Sequence, residues 1–101
     1  MTMRAYAIVR QDISGESTDL HIERIRELAK RRHFDLRGVL EATSDADFAL
    51  LVASFEPSRI STLFVPSITH IVGWLDVIRH EVHVWTLEPL KLWPRLTAPD
   101  G

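Results

Sequence analysis

Four short apolar segments alternate in this chain with three segments whose apolar residues recur at helical spacing. The strand-like segments are residues 3–9, 34–42, 60–65 and 82–87. Helical spacing is shown by Leu20, Ile25, Leu28 and Ala29, by Phe48, Leu51, Val52 and Phe55, and by Ile68, Ile71, Val72, Leu75 and Ile78. Such alternation favours crossover connections between parallel strands. The pattern predicts an α/β fold with a small, doubly wound, mainly parallel four-stranded sheet and helices on both faces.

The length of 101 residues argues for one domain, which we place at residues 1–88. Residues 89–101 contain Pro89, Pro94 and Pro99 and are interpreted as a C-terminal tail. Within the tail, Leu92, Trp93 and Leu96 are candidate interface residues, because exposed apolar segments usually mark contacts with other molecules. The alternative is that the tail folds back and protects the edge of the sheet.

Composition excludes several classes of site. Twelve Lys and Arg residues against fourteen Asp and Glu give a net charge of -2, so we expect no autonomous DNA binding. The chain has no cysteine, which excludes disulfides and thiolate chemistry. No apolar run approaches the roughly 20 residues of a membrane helix, and we expect a cytoplasmic protein without a membrane partner. His80 and His83 need not share a face of a strand, so neither a metal nor a cofactor is predicted.

Three segments resemble the N-terminal catalytic domain of the serine recombinases (resolvases and invertases). Residues 4–10 (RAYAIVR) are similar to the opening strand of that family. Residues 19–25 (DLHIERI) resemble the start of its first helix, and residues 63–71 (LFVPSITHI) resemble its hallmark segment. The resemblance spans residues 4–87 and implies a resolvase-like, flavodoxin-like fold.

The resemblance also shows what this chain lacks. In the family a serine after the first strand attacks a DNA phosphate, and clustered arginines neutralise the phosphate oxygens. Here Asp12 occupies the position of that serine, and Thr69-His70 replaces the Asp-Arg pair of the hallmark. Arg10 alone is retained. The resemblance therefore implies a degenerate member of the family without its catalytic residues.

Three functions follow from this interpretation. The leading one is a catalytically inactive interaction or regulatory module, which we expect to be dimeric and whose partner is itself or another protein. The second is a strand-exchange enzyme with a displaced nucleophile, for which Ser14 and Ser17 are the candidates. The third is a small anion- or ligand-binding domain that uses Arg10, since doubly wound sheets bind ligands beyond the carboxyl ends of their strands.

Overall fold

A five-stranded sheet forms the centre of the protein in a computed structural model that describes residues 2–96. The strands are β1 (Arg4–Arg10), β2 (Asp35–Ala42), β3 (Ile60–Val65), β4 (His83–Leu87) and β5 (Leu90–Trp93). The helices are α1 (Gln11–Ser14), α2 (Thr18–Arg31), α3 (Phe48–Phe55) and α4 (Leu75–Arg79), with 3₁₀ turns at Gly15–Ser17 and Ile68–Ile71. The prediction of an α/β domain with a mainly parallel sheet is confirmed.

The strands lie in the order β2-β1-β3-β4-β5. The first four are parallel to their neighbours, and β5 is antiparallel to β4. The predicted count of four strands is therefore wrong, because residues 90–93 of the supposed tail form a hairpin with β4. Leu87 pairs with Leu90, which leaves Glu88 and Pro89 as a two-residue connection. Residues 97–101 of the tail lie outside the described part of the chain.

Alternate residues of β1 enter two separate cores. Ala5, Ala7 and Val9 pack with Ile22, Ile25, Leu28 and Ala29 of α2. Ile8 packs in a second cluster with residues of α3 and α4, among them Phe48, Phe55 and Ile78. Because successive side chains of a strand point to opposite faces, helices cover both faces of the sheet at β1. The carboxyl end of β1 is thereby held between two packed layers.

Two connecting segments differ from the sequence expectation. Residues 11–17, which lie between the first predicted strand and the first predicted helix, form α1 and a 3₁₀ turn directly before α2. The third helical pattern does not form one helix: it breaks at Gly73, whose φ of 81° lies in the left-handed region that glycine adopts readily. Val72 is consequently exposed, and only the short α4 follows.

Candidate functional site

Arg10 ends β1 at the edge where a parallel α/β sheet normally binds ligands. Its guanidinium is already occupied, since Nε and Nη2 donate hydrogen bonds of 3.1 and 2.6 Å to the two carboxylate oxygens of Asp12. This hydrogen bonding lowers the pKa of Asp12 and raises the pKa of Arg10. The carboxylate of Asp12 thus neutralises the guanidinium of Arg10.

The side chain of His70, which the resemblance aligns with an arginine, is inside the protein. It is 2% exposed, and its Nδ1 accepts a 2.9 Å hydrogen bond from the backbone N–H of Arg10. Burial, followed by electrostatic interactions with His21 and Arg10, lowers the pKa of His70 to about 4. The imidazole is therefore neutral near pH 7 and fixes the end of β1, where an arginine would have offered charge to a phosphate.

Ser14 lies beside a histidine that the sequence interpretation had assigned no role. Ser14 Oγ and His21 Nδ1 share a 2.7 Å hydrogen bond between α1 and α2. On the other side of the ring, His21 Nε2 is 3.8 Å from Glu88 Oε1, and Arg24 Nη1 donates to the same oxygen at 3.1 Å. Ser14 and His21 are therefore hydrogen-bonded, whereas the Glu88 carboxylate lies beyond hydrogen-bond distance of the ring and accepts from Arg24.

The remaining candidate positions lie apart from this chain of contacts. Ser17 is exposed and precedes α2 without a side-chain hydrogen bond to the helix end. Thr69 is exposed, and its hydroxyl is 2.5 Å from the hydroxyl of Ser67. The structure therefore brings Arg10, Asp12 and His70 together and pairs Ser14 with His21, while Ser17 and Thr69 remain at the surface.

The three candidate interface residues of the tail face different surroundings. Trp93 is half-buried against the core of α3 and α4, and its indole N–H donates to Thr86 Oγ1 at 3.4 Å. Leu96 is also half-buried, and its backbone N–H donates to the carbonyl of Arg79. Leu92 is 40% exposed. Only Leu92 among the three is both apolar and strongly exposed.

Leu92 belongs to a larger apolar surface that the sequence interpretation missed. In the hairpin Trp85 pairs with Leu92 and Leu87 pairs with Leu90, so all four side chains lie on one face. Trp85 and Leu87 touch the core under α2, whereas Leu90 is 57% exposed. We call these four residues, Trp85, Leu87, Leu90 and Leu92, the open face. The available signal was the alternation of Leu90 and Leu92 with Lys91 and Trp93, which is a strand pattern.

Charged residues border the open face on the side of α2. The guanidinium carbon of Arg32 is 5.1 Å from the centre of the Trp85 ring, a cation–π contact. Arg24 and Glu88 form the ion pair described above at the end of β4. The open face is thus an apolar centre with a rim of both charge signs.

Within residues 2–96, no helix is long and apolar enough to cross a membrane, and no group of three or more His, Asp or Glu side chains is placed to hold a metal ion. Comparison with known proteins identified no relative: no family model, no curated protein and no solved structure matches this chain.

Proposed function

We propose that this chain is a catalytically inactive, resolvase-like domain that acts as a protein-interaction module and pairs with a second copy of itself through the open face. The observation that carries the proposal is the pair of cross-strand contacts, Trp85 with Leu92 and Leu87 with Leu90, which gathers four apolar side chains on one face. Exposed apolar patches bordered by polar residues are typical of interaction sites.

The open face has the composition of an interface centre. Trp85 is half-buried beneath the guanidinium of Arg32, whereas Leu90 and Leu92 project into solvent. Tryptophan and arginine are among the residues that most often supply the binding free energy of protein contacts, and the contacts around them exclude water. In an isolated subunit this apolar surface remains in contact with water.

A second copy is the partner that the rim favours. In a two-fold symmetric dimer the same surface of each subunit faces its copy, so the charges of the rim must not repel those of the other subunit. Arg32 and Glu88 supply opposite signs on one border, which allows each to face the other across a two-fold axis. Stable contacts bury about 800 Å² on each partner, so the contact includes this rim as well as the four apolar residues.

The proposal that the domain is catalytically inactive is supported by the ion pair between Arg10 and Asp12 and by the neutral imidazole of His70. A transferring phosphate requires cations that are free to meet it. The strand order β2-β1-β3-β4 with helices on two faces supports the doubly wound, flavodoxin-like part of the proposal. A chain without cysteine also suits a reducing cytoplasm.

Solution mass at several concentrations tests the proposal. Sedimentation velocity of the wild-type chain should show a concentration-dependent dimer. Leu92→Arg should weaken the dimer at least tenfold, because it places a charge in the apolar centre. Leu50→Arg is the matched control: Leu50 is 79% exposed on α3, away from the hairpin, and the same substitution there should leave the dimer intact.

Two outcomes would contradict the proposal. One is a monomer at all concentrations up to the millimolar range. The other is a dimer that Leu50→Arg dissociates and Leu92→Arg does not, which would assign the contact to α3.

A second candidate function, a displaced-serine enzyme of phosphodiester strand exchange, is favoured by the 2.7 Å contact between Ser14 and His21. In such a step Ser14 Oγ would bond to phosphorus while its proton passes to His21 Nδ1, and the bond from phosphorus to the leaving sugar oxygen would break as that oxygen takes the proton from His21. Diisopropyl fluorophosphate tests the reactivity of Ser14 directly. Mass spectrometry should find an adduct that is lost in Ser14→Ala and His21→Ala and kept in Ser17→Ala; the absence of any adduct would reject this function.

A further inference from the structure

A cleft of about 400 Å³ opens at the amino ends of the strands, opposite the edge that the recombinase resemblance emphasises. Its lining residues are Thr2, Met3, Arg4, Arg59 and Ser61. Two guanidiniums and two hydroxyls thus share one concave surface, and no carboxylate is among these lining residues. Arg10, at the other edge, is paired with Asp12.

The two arginines of the cleft are held close to each other by the backbone. Arg4 begins β1 and pairs in register with Ile60, the residue after Arg59. Arg4 Nη1 donates to the carbonyl of Ser58 at 3.2 Å, and Ser61 Oγ donates to the carbonyl of Arg4 at 3.2 Å. These contacts fix the start of β1 against the turn that carries Arg59.

Both guanidiniums also lack an anionic partner. Across residues 2–96 no carboxylate oxygen lies within 4.0 Å of Arg4 or Arg59, whereas Arg10, Arg24 and Arg37 each form an ion pair. Among the acidic residues on this side, Asp35 pairs in register with Arg4 but forms its ion pair with Arg37, and Glu56 and Glu81 line a neighbouring cleft that shares Arg59 and Ser61.

Arg59 occupies a backbone position that is unfavourable for its residue type. Its φ of 57° is left-handed, a conformation that glycine adopts freely and that strains side chains with a Cβ. Its N–H closes the turn by donating to the carbonyl of Glu56 at 3.0 Å. Glycine adopts this conformation at lower cost, so replacing Arg59 by glycine removes the guanidinium without straining the turn.

We propose that the cleft between Arg4 and Arg59 binds the phosphate group of a small organic phosphate monoester. The guanidiniums of Arg4 and Arg59 bind phosphate oxygens, since arginine is suited to such bidentate contacts. The exposed side chain of Met3 provides the apolar wall on which the organic part of the ligand lies. This site is separate from the open face and does not depend on self-association.

Nuclear magnetic resonance titration with phenyl phosphate, and with phenol as its uncharged counterpart, tests the proposal. Phenyl phosphate should shift the backbone amide of Ser61 in a saturable way, and phenol should not. Arg59→Gly should weaken binding about tenfold or more while leaving the Tm equal to or above that of the wild type. Arg59→Asn, which also tolerates left-handed backbone, provides a second variant without the charge.

Arg31→Gln is the control, because it removes an equal charge from the exposed last turn of α2, outside the cleft. It should change the affinity less than twofold. The proposal is overturned if Arg59→Gly binds phenyl phosphate as the wild type does, if Arg31→Gln weakens binding as much as Arg59→Gly, or if phenol shifts Ser61 equally.

Discussion

The two sides of the β4–β5 hairpin contain similar residues and have opposite environments. On one side Trp93 packs against the core of α3 and α4, and buried Thr86 donates to the carbonyl of Pro89 at 2.6 Å. On the other side Trp85 is only half-buried and its pair Leu92 is 40% exposed. One tryptophan completes the core of its own chain, and the other lies at the border of an uncovered apolar surface.

This difference shows how protecting a sheet edge creates a new surface. The last strand covers the backbone groups of β4, which would otherwise be open to pairing with another chain. Side chains of a strand alternate, so placing Trp93 in the core places Leu90 and Leu92 on the opposite face. The segment that the sequence suggested as a free interface arm is therefore part of the fold, and its outer residues form the open face.

Acid should destabilise the fold without changing the charge of the open face. This change in the free energy of unfolding is the largest expected effect. Burial lowers the pKa of His70 to about 4 in the folded chain, against 6.5 for a free imidazole. Between these values the unfolded chain binds more protons, so stability is complete above pH 6.5, falls as the pH decreases toward 4 and then levels off. The loss amounts to about 3 kcal/mol at most. None of the four residues of the open face titrates.

Urea unfolding at pH 7.5 and pH 4.5 measures this effect. His70→Asn, whose amide oxygen replaces Nδ1 as acceptor for the Arg10 N–H, should show a smaller difference between the two pH values than the wild type does. Equal differences in both proteins would show that His70 does not report on folding.

Shortening one side chain on each side of the hairpin should affect the stability of the monomer and its self-association differently. Trp93→Ala should lower the free energy of unfolding by about 2 kcal/mol, because it opens a space in the core of α3 and α4. Leu92→Ala should lower the free energy of unfolding of the monomer by less than about 1 kcal/mol and should weaken self-association. Chemical denaturation of dilute samples measures the first quantity and sedimentation the second. A reversed pattern would place Leu92 inside the fold and Trp93 in the contact.

The smallest expected effect concerns the cation at the rim. Replacing Arg32 by Gln removes the positive charge 5.1 Å above the Trp85 ring and should lower monomer stability by about 0.5 kcal/mol. The fluorescence of Trp85, measured in a Trp74→Phe, Trp93→Phe background, should shift as the ring becomes more exposed. An unchanged spectrum would show that Arg32 does not cover the ring.

The sequence predicted those parts of the fold in which the pattern of apolar residues indicates only one kind of element. Strands β1 to β4 form where continuous or alternating apolar segments occur, and α2 buries Ile25, Leu28 and Ala29 as its spacing indicates. Strand β5 was missed because it has only four residues between Pro89 and Pro94. The third helix was predicted too long, since a regular apolar spacing cannot show that Gly73 adopts a left-handed conformation.

The candidate site was less accessible to sequence reasoning. The recombinase resemblance drew attention to Arg10, Asp12, Thr69 and His70, and the structure places the first, second and fourth together. It could not indicate that Asp12 neutralises Arg10, because that depends on side-chain geometry. The pairing of Ser14 with His21 depends on α1, which the sequence did not predict. The open face requires the strand pairing of β5, so it emerges only with the hairpin.

The most direct test of the proposed function is an isotope-filtered nuclear Overhauser experiment on a mixture of labelled and unlabelled chains at a concentration where sedimentation shows a dimer. The contact proposed here predicts cross-peaks between the methyl groups of Leu90 and Leu92 on one subunit and the indole protons of Trp85 on the other. Intermolecular cross-peaks confined to Leu50 and the rest of α3, with none at the hairpin, would contradict it.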